Sequence, residues 1–393
     1  MRLLIVSAYF DSHRGGIEIV AGQLAREFSR AGEDVVWLAS GTECSASHAA
    51  CGRAPVPVFN GIERALGIPF PIPAPAALAT IRREVAAADV VMLHDSLYPT
   101  NIAAFLVARW LGKPVAITQH IGNVPYRNPI LRCLMQAMTH LVTRAMLASA
   151  DQVVFISRIT ARTFAGVRYR RPPRLIFNGV NADIFRPPAS ASERQTARSQ
   201  FGLPPDRPVA LFVGRFVEKK GLHILQRAAQ LGGGVTWAFA GWGKLDPREW
   251  GLPNVRVFSG LSEASLVPLY WASDVFVLPS TGEGFPLVLQ EAMACGLPAV
   301  CGAETAEADD RLAPLLHAIP VGDFDETAKH LLSAVHETIA EHRANRTEQI
   351  RAWYSWSHAM RLYLDLFGEM TREHLAARGA AASRVLSTAG MDR

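Results

Sequence analysis

The sequence predicts an α/β protein of two consecutive domains, each a parallel sheet covered by helices on both faces. Three observations carry that expectation. Apolar runs of strand length recur along the chain with helix-length segments between them, and a polar Pro- and Ser-rich stretch breaks the pattern near the middle. The runs are also continuous rather than alternating, as expected of strands buried on both faces. At 393 residues the chain exceeds one comfortable hydrophobic core and suits two.

In the first half the strand-like runs are "RLLIVSAYF", "DVVWLAS", "DVVMLHD", "PVAITQH", "DQVVFIS" and "RLIFNGV". In the second they are "PVALFVGR", "VTWAFAGWG", "VRVFSG", "DVFVLPS" and "PAVCG". Between the halves, "FRPPASASERQTARSQFGLPPDRP" is too rich in Pro and Ser to hold a strand and reads as a linker with a short helix. This places a first domain over residues 1–185 and a second over 186–355. Beyond them, Trp356, Met360, Tyr363, Leu364 and Phe367 recur at helical spacing, giving a helix over 356–370 followed by a flexible tail over 371–393.

Composition narrows the function classes. Apolar residues make up 49% and charged residues 19% of the chain, the balance of a folded protein and not of a disordered one. The five cysteines, Cys44, Cys51, Cys133, Cys295 and Cys301, are odd in number and form no C-x-x-C pair. Reduced, buried thiols are expected, and neither a disulfide framework nor a zinc site. Asp11 and Arg14 interrupt the apolar N-terminus too early for a signal peptide, and no run reaches the roughly 18 apolar residues of a membrane span, so a cytoplasmic protein is expected.

Charge is uneven. Eleven Lys and Arg lie between Val107 and Arg174 against Asp151 alone, a local balance of +10 that leaves −5 for the rest of the chain. Such a stripe suits an anionic partner such as a membrane surface or a lipid phosphate, and equally a solvated basic face. No nucleic-acid-binding motif accompanies the charge.

In doubly wound sheets ligands sit beyond the C-terminal ends of the strands, so chemistry is sought there. After one strand, "VGRFVEKKG" offers Arg215 and Lys220 around a turn into a helix; two cations beside a helix N-terminus form a site for phosphate. Gly241 and Gly243 in "AGWG" let a backbone approach a ligand. Gly15 and Gly16 in "RGGIE" do the same before a helix, and also suit a tight turn. In "EGFPLVLQEAMACGLP", Pro286 fits a first helical turn, Gly296 its left-handed end and Pro298 its stop. The stretch from Phe285 and Pro286 through Leu287 to Val288 thus marks a helix N-terminus, with free N–H donors on its non-proline residues. Glu283 on the preceding loop would repel a phosphate and so faces a neutral group such as a sugar ring, while Glu291 inside the helix can accept from ribose hydroxyls. His94 and His120 close two strands, Asn178 and Gly179 suit a turn, and "GDFDE" reads as a helix cap in preference to a metal site.

Together these segments resemble the retaining glycosyltransferases of family four, which have the GT-B fold of two Rossmann-like domains around a central cleft, with a C-terminal helix crossing back to the first domain. The resemblance spans about residues 1–368, through "GGIE", "DVVMLHD", "TQH", "FNGV", "GRFVEKKG", "DVFVLPS", "EGFPLVLQEAMACGLPAV" and a closing "YSW". It implies that Arg215 and Lys220 grip the diphosphate of a UDP- or GDP-hexose donor, that Gly16 approaches it, and that Glu283 and His120 serve the sugar and the reacting centre. Gly241 and the Phe285–Val288 amides would line the donor site and Glu291 would hold the ribose. No metal or further cofactor is implied, because cations and a helix N-terminus can stabilise the leaving diphosphate.

The implied reaction is transfer of a hexose, with retention, to a hydroxyl of a glycan or polyprenyl-linked acceptor in cell-envelope or exopolysaccharide synthesis. The alternative on the same fold is a nucleotide-sugar epimerase or a phosphorylase. The apolar segment "NPILRCLMQAMTHLVTRAML", with Arg132 and Arg144, would then rest peripherally on anionic lipid at the inner face of the cell membrane. Two departures from the family pattern stand out: "AETAEADD" replaces the usual Gly-Gly-x-x-Glu loop after "PAVCG", and Asn181 replaces an Asp.

Overall fold

In a computed structural model, the described residues are 1–13, 15–41, 51–61, 70–122, 129–341 and 347–389. They form two compact units: residues 1–156, 160–176 and 359–393 in one, and 157–159 and 177–358 in the other.

The first unit is built on a seven-stranded parallel sheet in the order β3-β2-β1-β6-β7-β8-β9. Its strands are β1 (Arg2–Tyr9), β2 (Asp34–Ser40), β3 (Gly52–Val56), β6 (Val90–His94), β7 (Val115–Gln119), β8 (Gln152–Phe155) and β9 (Arg174–Leu175), with a short antiparallel pair, β4 (Val58–Phe59) and β5 (Ile72–Pro73), beside them. Leu4, Val6, Leu93 and Ile117 meet Ile81, Val85 and Ala104 from the covering helices in one buried cluster. The long C-terminal helix, Trp356–Ala389, contributes to this unit through Tyr363 and Phe367, whose rings pack around Phe28.

The second unit has six parallel strands in the order β12-β11-β10-β13-β14-β15. These are β10 (Val209–Phe216), β11 (Thr236–Gly243), β12 (Val255–Phe258), β13 (Val275–Leu278), β14 (Ala299–Gly302) and β15 (Leu316–Ile319). Phe212, Phe216, Trp237 and Phe239 are completely buried in its core.

Four differences from the sequence reading have physical causes. The chain passes between units at residue 177 and not at 186, because the "FNGV" segment bridges to Ser355 and buries Val180 and Phe185 in the second core. The last helix runs to Ala389 and not to 370, through an alanine-rich stretch of high helix propensity; residues 390–393 of the expected tail lie outside the described residues. Strands β3 and β15 were missed: Gly52 and Pro55 weaken β3, which pairs only with β2 at the sheet edge where Pro is tolerated, and β15 is a four-residue edge strand. The cysteines are not uniformly buried: Cys295 and Cys301 are, whereas Cys51 is half-buried and Cys133 is exposed on the helix Pro129–Met138. Cys44 lies outside the described residues.

Candidate functional site

In the second unit the strand order reverses direction at the β10/β13 pair, with β11 and β12 on one side and β14 and β15 on the other. Loops leaving such a pair diverge and open a crevice at the C-terminal strand ends. Arg215, Lys220, Gly241, Glu283 and the Phe285–Val288 segment lie at the C-terminal strand ends of this unit. After β10 the chain makes a short 3-10 turn, Glu218–Lys220, closed by Gly221 at φ 78°. A side chain at Gly221 would fall on the carbonyl oxygen of Pro279, so glycine is required for the turn to lie against the loop after β13. Thr281 N donates to Lys219 O at 3.1 Å and locks the two loops together.

That contact brings Lys220 and Glu283 together. Lys220 Nζ is 3.1 Å from Glu283 Oε2, and Lys219 Nζ is 3.5 Å from Oε1, which accepts no hydrogen bond. The side chains of Lys220 and Glu283 are 12% and 13% exposed. Burial lowers the Lys220 pKa and the Glu283 carboxylate opposes that shift. Arg215 is exposed, and its guanidinium forms no hydrogen bond or ion pair among the described residues.

Pro286 caps the helix Leu287–Ala294 from φ −63° and ψ 130°, one residue outside the first turn expected for it. Its carbonyl accepts from Leu289 and Gln290, while the amides of Phe285, Leu287 and Val288 have no partner among the described residues. Such amides, with the helix dipole, favour an anion. The Phe285 side chain does not line the site: it is 3% exposed and packs edge-on against Phe177 and Tyr354, leaving only its backbone available.

Glu291 is half-buried and already bonded, accepting from the Tyr270 hydroxyl at 2.9 Å. Burial raises its pKa to about 7, against the lowering influence of that hydrogen bond. Gly241 has a structural cause that the sequence reading did not consider. It faces Gly214 across the β10–β11 ladder at φ +155°, and a side chain there would fall on the Gly214 carbonyl oxygen. Its own carbonyl accepts from Ser259.

Glu304 was not singled out. It stands where the family's Gly-Gly-x-x-Glu loop is altered, and its carboxylate accepts from Gly282 N at 3.1 Å, beside Glu283. The unusual "AETAEADD" loop was the available signal. The Asp323 side chain caps the helix Phe324–Ala340 by accepting from the amides of Asp325 and Glu326, so "GDFDE" is a cap.

In the first unit the strand order reverses between β1 and β6. Gly16 opens the helix Gly16–Arg30 after β1, and a side chain there would meet nothing within 4 Å. Gly15 is different, since the Glu18 carboxylate folds back over it. His94 ends β6 and His120 follows β7, and the two rings stack with Nδ1 of His94 3.0 Å from Nε2 of His120. Burial drives both pKa values down, that of His120 to about 3.

Asp95, next to His94 in "VVMLHDS", was passed over in the sequence. It is 1% exposed and adopts φ 72°, a strained value for a residue with a side chain. Its carboxylate accepts from Ser96 N, Gln119 Nε2 and Ile121 N, and Asn101 Nδ2 holds the carbonyls of both His94 and Asp95. Burial raises the Asp95 pKa to about 6 despite those hydrogen bonds. Left-handed backbone is a tertiary property, and a lone Asp after His carries no local sign of it.

At least five of the eleven cations of the basic stripe are ion-paired, two of them with the stripe's own Asp151 and three with carboxylates from elsewhere. Asp151 pairs with Arg109 and Arg170, Glu369 with Arg174, Glu373 with Arg171, and Asp310 with Arg158. Arg144 and Lys113 donate to the backbone carbonyls of Ala165 and Ala88. Arg127 and Asn128, and the side chains of residues 129–131, lie outside the described residues. Among the described residues no helix is long and apolar enough to cross a membrane.

Comparison with known proteins gives a consistent picture. The family described as "Glycosyltransferase Family 4" matches residues 14–184, and that described as "Glycosyl transferases group 1" matches residues 193–353. The chain is 30% identical over 257 residues to a D-inositol 3-phosphate glycosyltransferase of Mycolicibacterium smegmatis, covering 60% of this chain and 56% of that one. It is 33% identical over 224 residues to D-inositol 3-phosphate glycosyltransferase 2 of Catenulispora acidiphila, covering 51% of each. The matches therefore span only about half the length of these relatives.

Among solved structures, sucrose-phosphate synthase from Thermosynechococcus elongatus superposes with a TM-score of 0.68 at 21% identity, over 96% of this chain and 100% of that one. Anabaena HepE in complex with UDP-glucose gives 0.70 at 16% identity, over 94% and 100%.

Proposed function

Because the chain belongs to the family-four glycosyltransferases of GT-B fold, we propose that it transfers a hexose from a nucleotide diphosphate sugar to an acceptor hydroxyl, with retention at the anomeric carbon. One observation carries the reading: an unpaired guanidinium, a buried ammonium and free helix-terminal amides share the ends of the paired strands β10 and β13. Arg215, Lys220 and the amides of Leu287 and Val288 would bind the diphosphate and stabilise the charge it gains on leaving. Glu283 would steady Lys220 and face the sugar, and Glu291, with Tyr270 holding one oxygen, would accept from the ribose. For Gly16 and His120, which lie in the first unit, the family resemblance alone suggests roles toward a phosphate and a sugar respectively.

In this reaction the bond from the anomeric carbon to the diphosphate oxygen breaks as a bond to the acceptor oxygen forms. The acceptor proton passes to the departing phosphate oxygen. No protein nucleophile and no metal is required, since the cations and amides already match the developing charge.

The names of the relatives make D-inositol 3-phosphate the first acceptor to try, ahead of the glycan or polyprenyl-linked acceptor expected from the sequence. UDP-glucose is the first donor, as the ligand of HepE. Peripheral contact with anionic membrane at the inner face belongs to the same proposal and rests on the basic stripe, at least five of whose eleven cations are ion-paired within the protein. Flotation with acidic vesicles that recovers no protein removes it.

The test is calorimetric binding of UDP- and GDP-hexoses in the presence of a chelator, with Arg215→Ala alongside, followed by product analysis with each acceptor. One donor should bind selectively, lose affinity in the variant and yield a product of unchanged anomeric configuration. Product without an acceptor would mean an epimerase, and dependence on inorganic phosphate a phosphorylase.

A further inference from the structure

His94 is the member of the His94–His120 pair to which the proposed reaction gives no role. His94 is fully buried and its Nε2 has no hydrogen-bond partner, while its Nδ1 meets Nε2 of His120 at 3.0 Å. An unsatisfied ring nitrogen in the core costs free energy, so the single bond that His94 makes, to the second ring, calls for a role. The surroundings support this. Asn101 fixes the His94 carbonyl, and Asp95 receives the amide of Ile121 and the side-chain amide of Gln119, the residues flanking His120. His120 itself is 8% exposed, and its Nδ1 forms no hydrogen bond among the described residues.

We infer that His94 is a positioning residue for His120: by occupying Nε2 in a buried hydrogen bond it leaves Nδ1 as the one nitrogen of His120 available to a ligand. It thereby makes His120 a fixed, uncharged hydrogen-bonding group for the transferred sugar and not a base that takes up the acceptor proton. This rests on the donor reading above and deepens it. Whichever ring carries the bridging proton, Nε2 of His120 is committed, because the hydrogen bond on one ring nitrogen decides what the other can do. No carboxylate bonds either ring: that of Asp95 is taken up by Ser96, Gln119 and Ile121, so nothing at hand would stabilise an imidazolium. Burial of both rings works in the same direction.

The experiment uses the full chain labelled with 15N-histidine, recorded without donor. A 15N–15N coupling across the hydrogen bond between His94 Nδ1 and His120 Nε2 is expected, and His120 should stay uncharged through its ordinary value of 6.5. An absent coupling, or a His120 that titrates near that value, overturns the inference.

Activity gives a second readout. His94→Leu, which keeps bulk but no donor or acceptor, should lower kcat by about five- to tenfold, the worth of one lost hydrogen bond, with KM for the donor unchanged. His94→Gln, whose amide can still reach Nε2, should restore most of that loss. A fully active His94→Leu overturns the positioning role, and if this variant fails to fold the wild-type coupling and titration decide alone. Failure of the donor reading would leave the spectra as expected, whereas loss of the coupling beside normal donor binding condemns only the pairing.

Discussion

At the ends of its strands the first unit turns its titratable groups on one another, whereas the second leaves donors without protein partners. His94 and His120 bond each other and Asp95 is satisfied by three donors. In the second unit, at the ends of β10 and β13, Arg215 and the amides of Leu287 and Val288 have no partner among the described residues, and Glu283 holds only the lysines. The first arrangement is preorganised and resists charging; the second invites an anion, because unpaired amides and cations are satisfied only by a ligand or water. A glycosyl transfer needs both kinds of site: fixed groups that orient a neutral sugar, and open ones that accept the charge of a departing diphosphate.

The glycines offer the harshest way to break this comparison. Gly241 in the second unit is enclosed by the Gly214 carbonyl, and Gly16 in the first faces open space. Gly241→Ala should therefore cost about 3 kcal/mol, read as a lowered urea midpoint. Gly16→Ala should stay within about 0.5 kcal/mol of the wild type while weakening donor binding. Equal midpoints for the two variants would mean that Gly241 is not held by the sheet.

Lys220→Met sharpens the contrast at the next level. It removes the ammonium from the anion site and leaves Glu283 with Lys219 alone, so binding of nucleoside diphosphate should weaken by about 2 kcal/mol, some thirtyfold. Undiminished affinity by calorimetry would remove Lys220 from the phosphate grip.

The mildest effect is on pH dependence, and it belongs to the first unit. His120 folds with a pKa of about 3 against an ordinary 6.5, so the unfolded chain takes up the proton first and stability is lost as pH falls from about 6.5 toward 3. Asp95 acts oppositely. Its folded value of about 6 lies above the ordinary 3.8, so the folded state takes up the proton first and gains stability as pH falls through that window. Asp95→Asn should remove this compensation and steepen the acid loss between about pH 6 and 4 by about 1 kcal/mol per pH unit, measured as melting temperature against pH. An unchanged slope would show that Asp95 does not titrate there.

Local pattern made much of the second unit's site legible. The run into "RFVEKKG" ends β10, and "FPLVLQEAMACG" folds as a helix with its left-handed end at Gly296, because both depend on neighbouring residues alone. The Lys220–Glu283 pair was not legible: Glu283 was placed against a sugar without its lysine, since the contact depends on β10 lying beside β13. The ion pairs within the basic stripe were not legible for the same reason. Four of its cations meet acids at positions 151, 369 and 373, two of these on the C-terminal helix far along the chain. Phe285 offers the site only its backbone amide, as read from the sequence, while its ring belongs to the aromatic cluster with Phe177 and Tyr354.

By itself the sequence determined the two parallel α/β units, the ends of most strands, and the cations and helix N-terminus at one of those ends. Hydrophobic period, turn residues and caps are properties of short segments and can be read in order. Only the tertiary structure decided that His94 bonds His120, that Asp95 adopts a strained left-handed backbone between them, and that Lys220 rests on Glu283. Each of these depends on which strands become neighbours, and parallel strands joined by crossovers bring together residues that no local pattern connects.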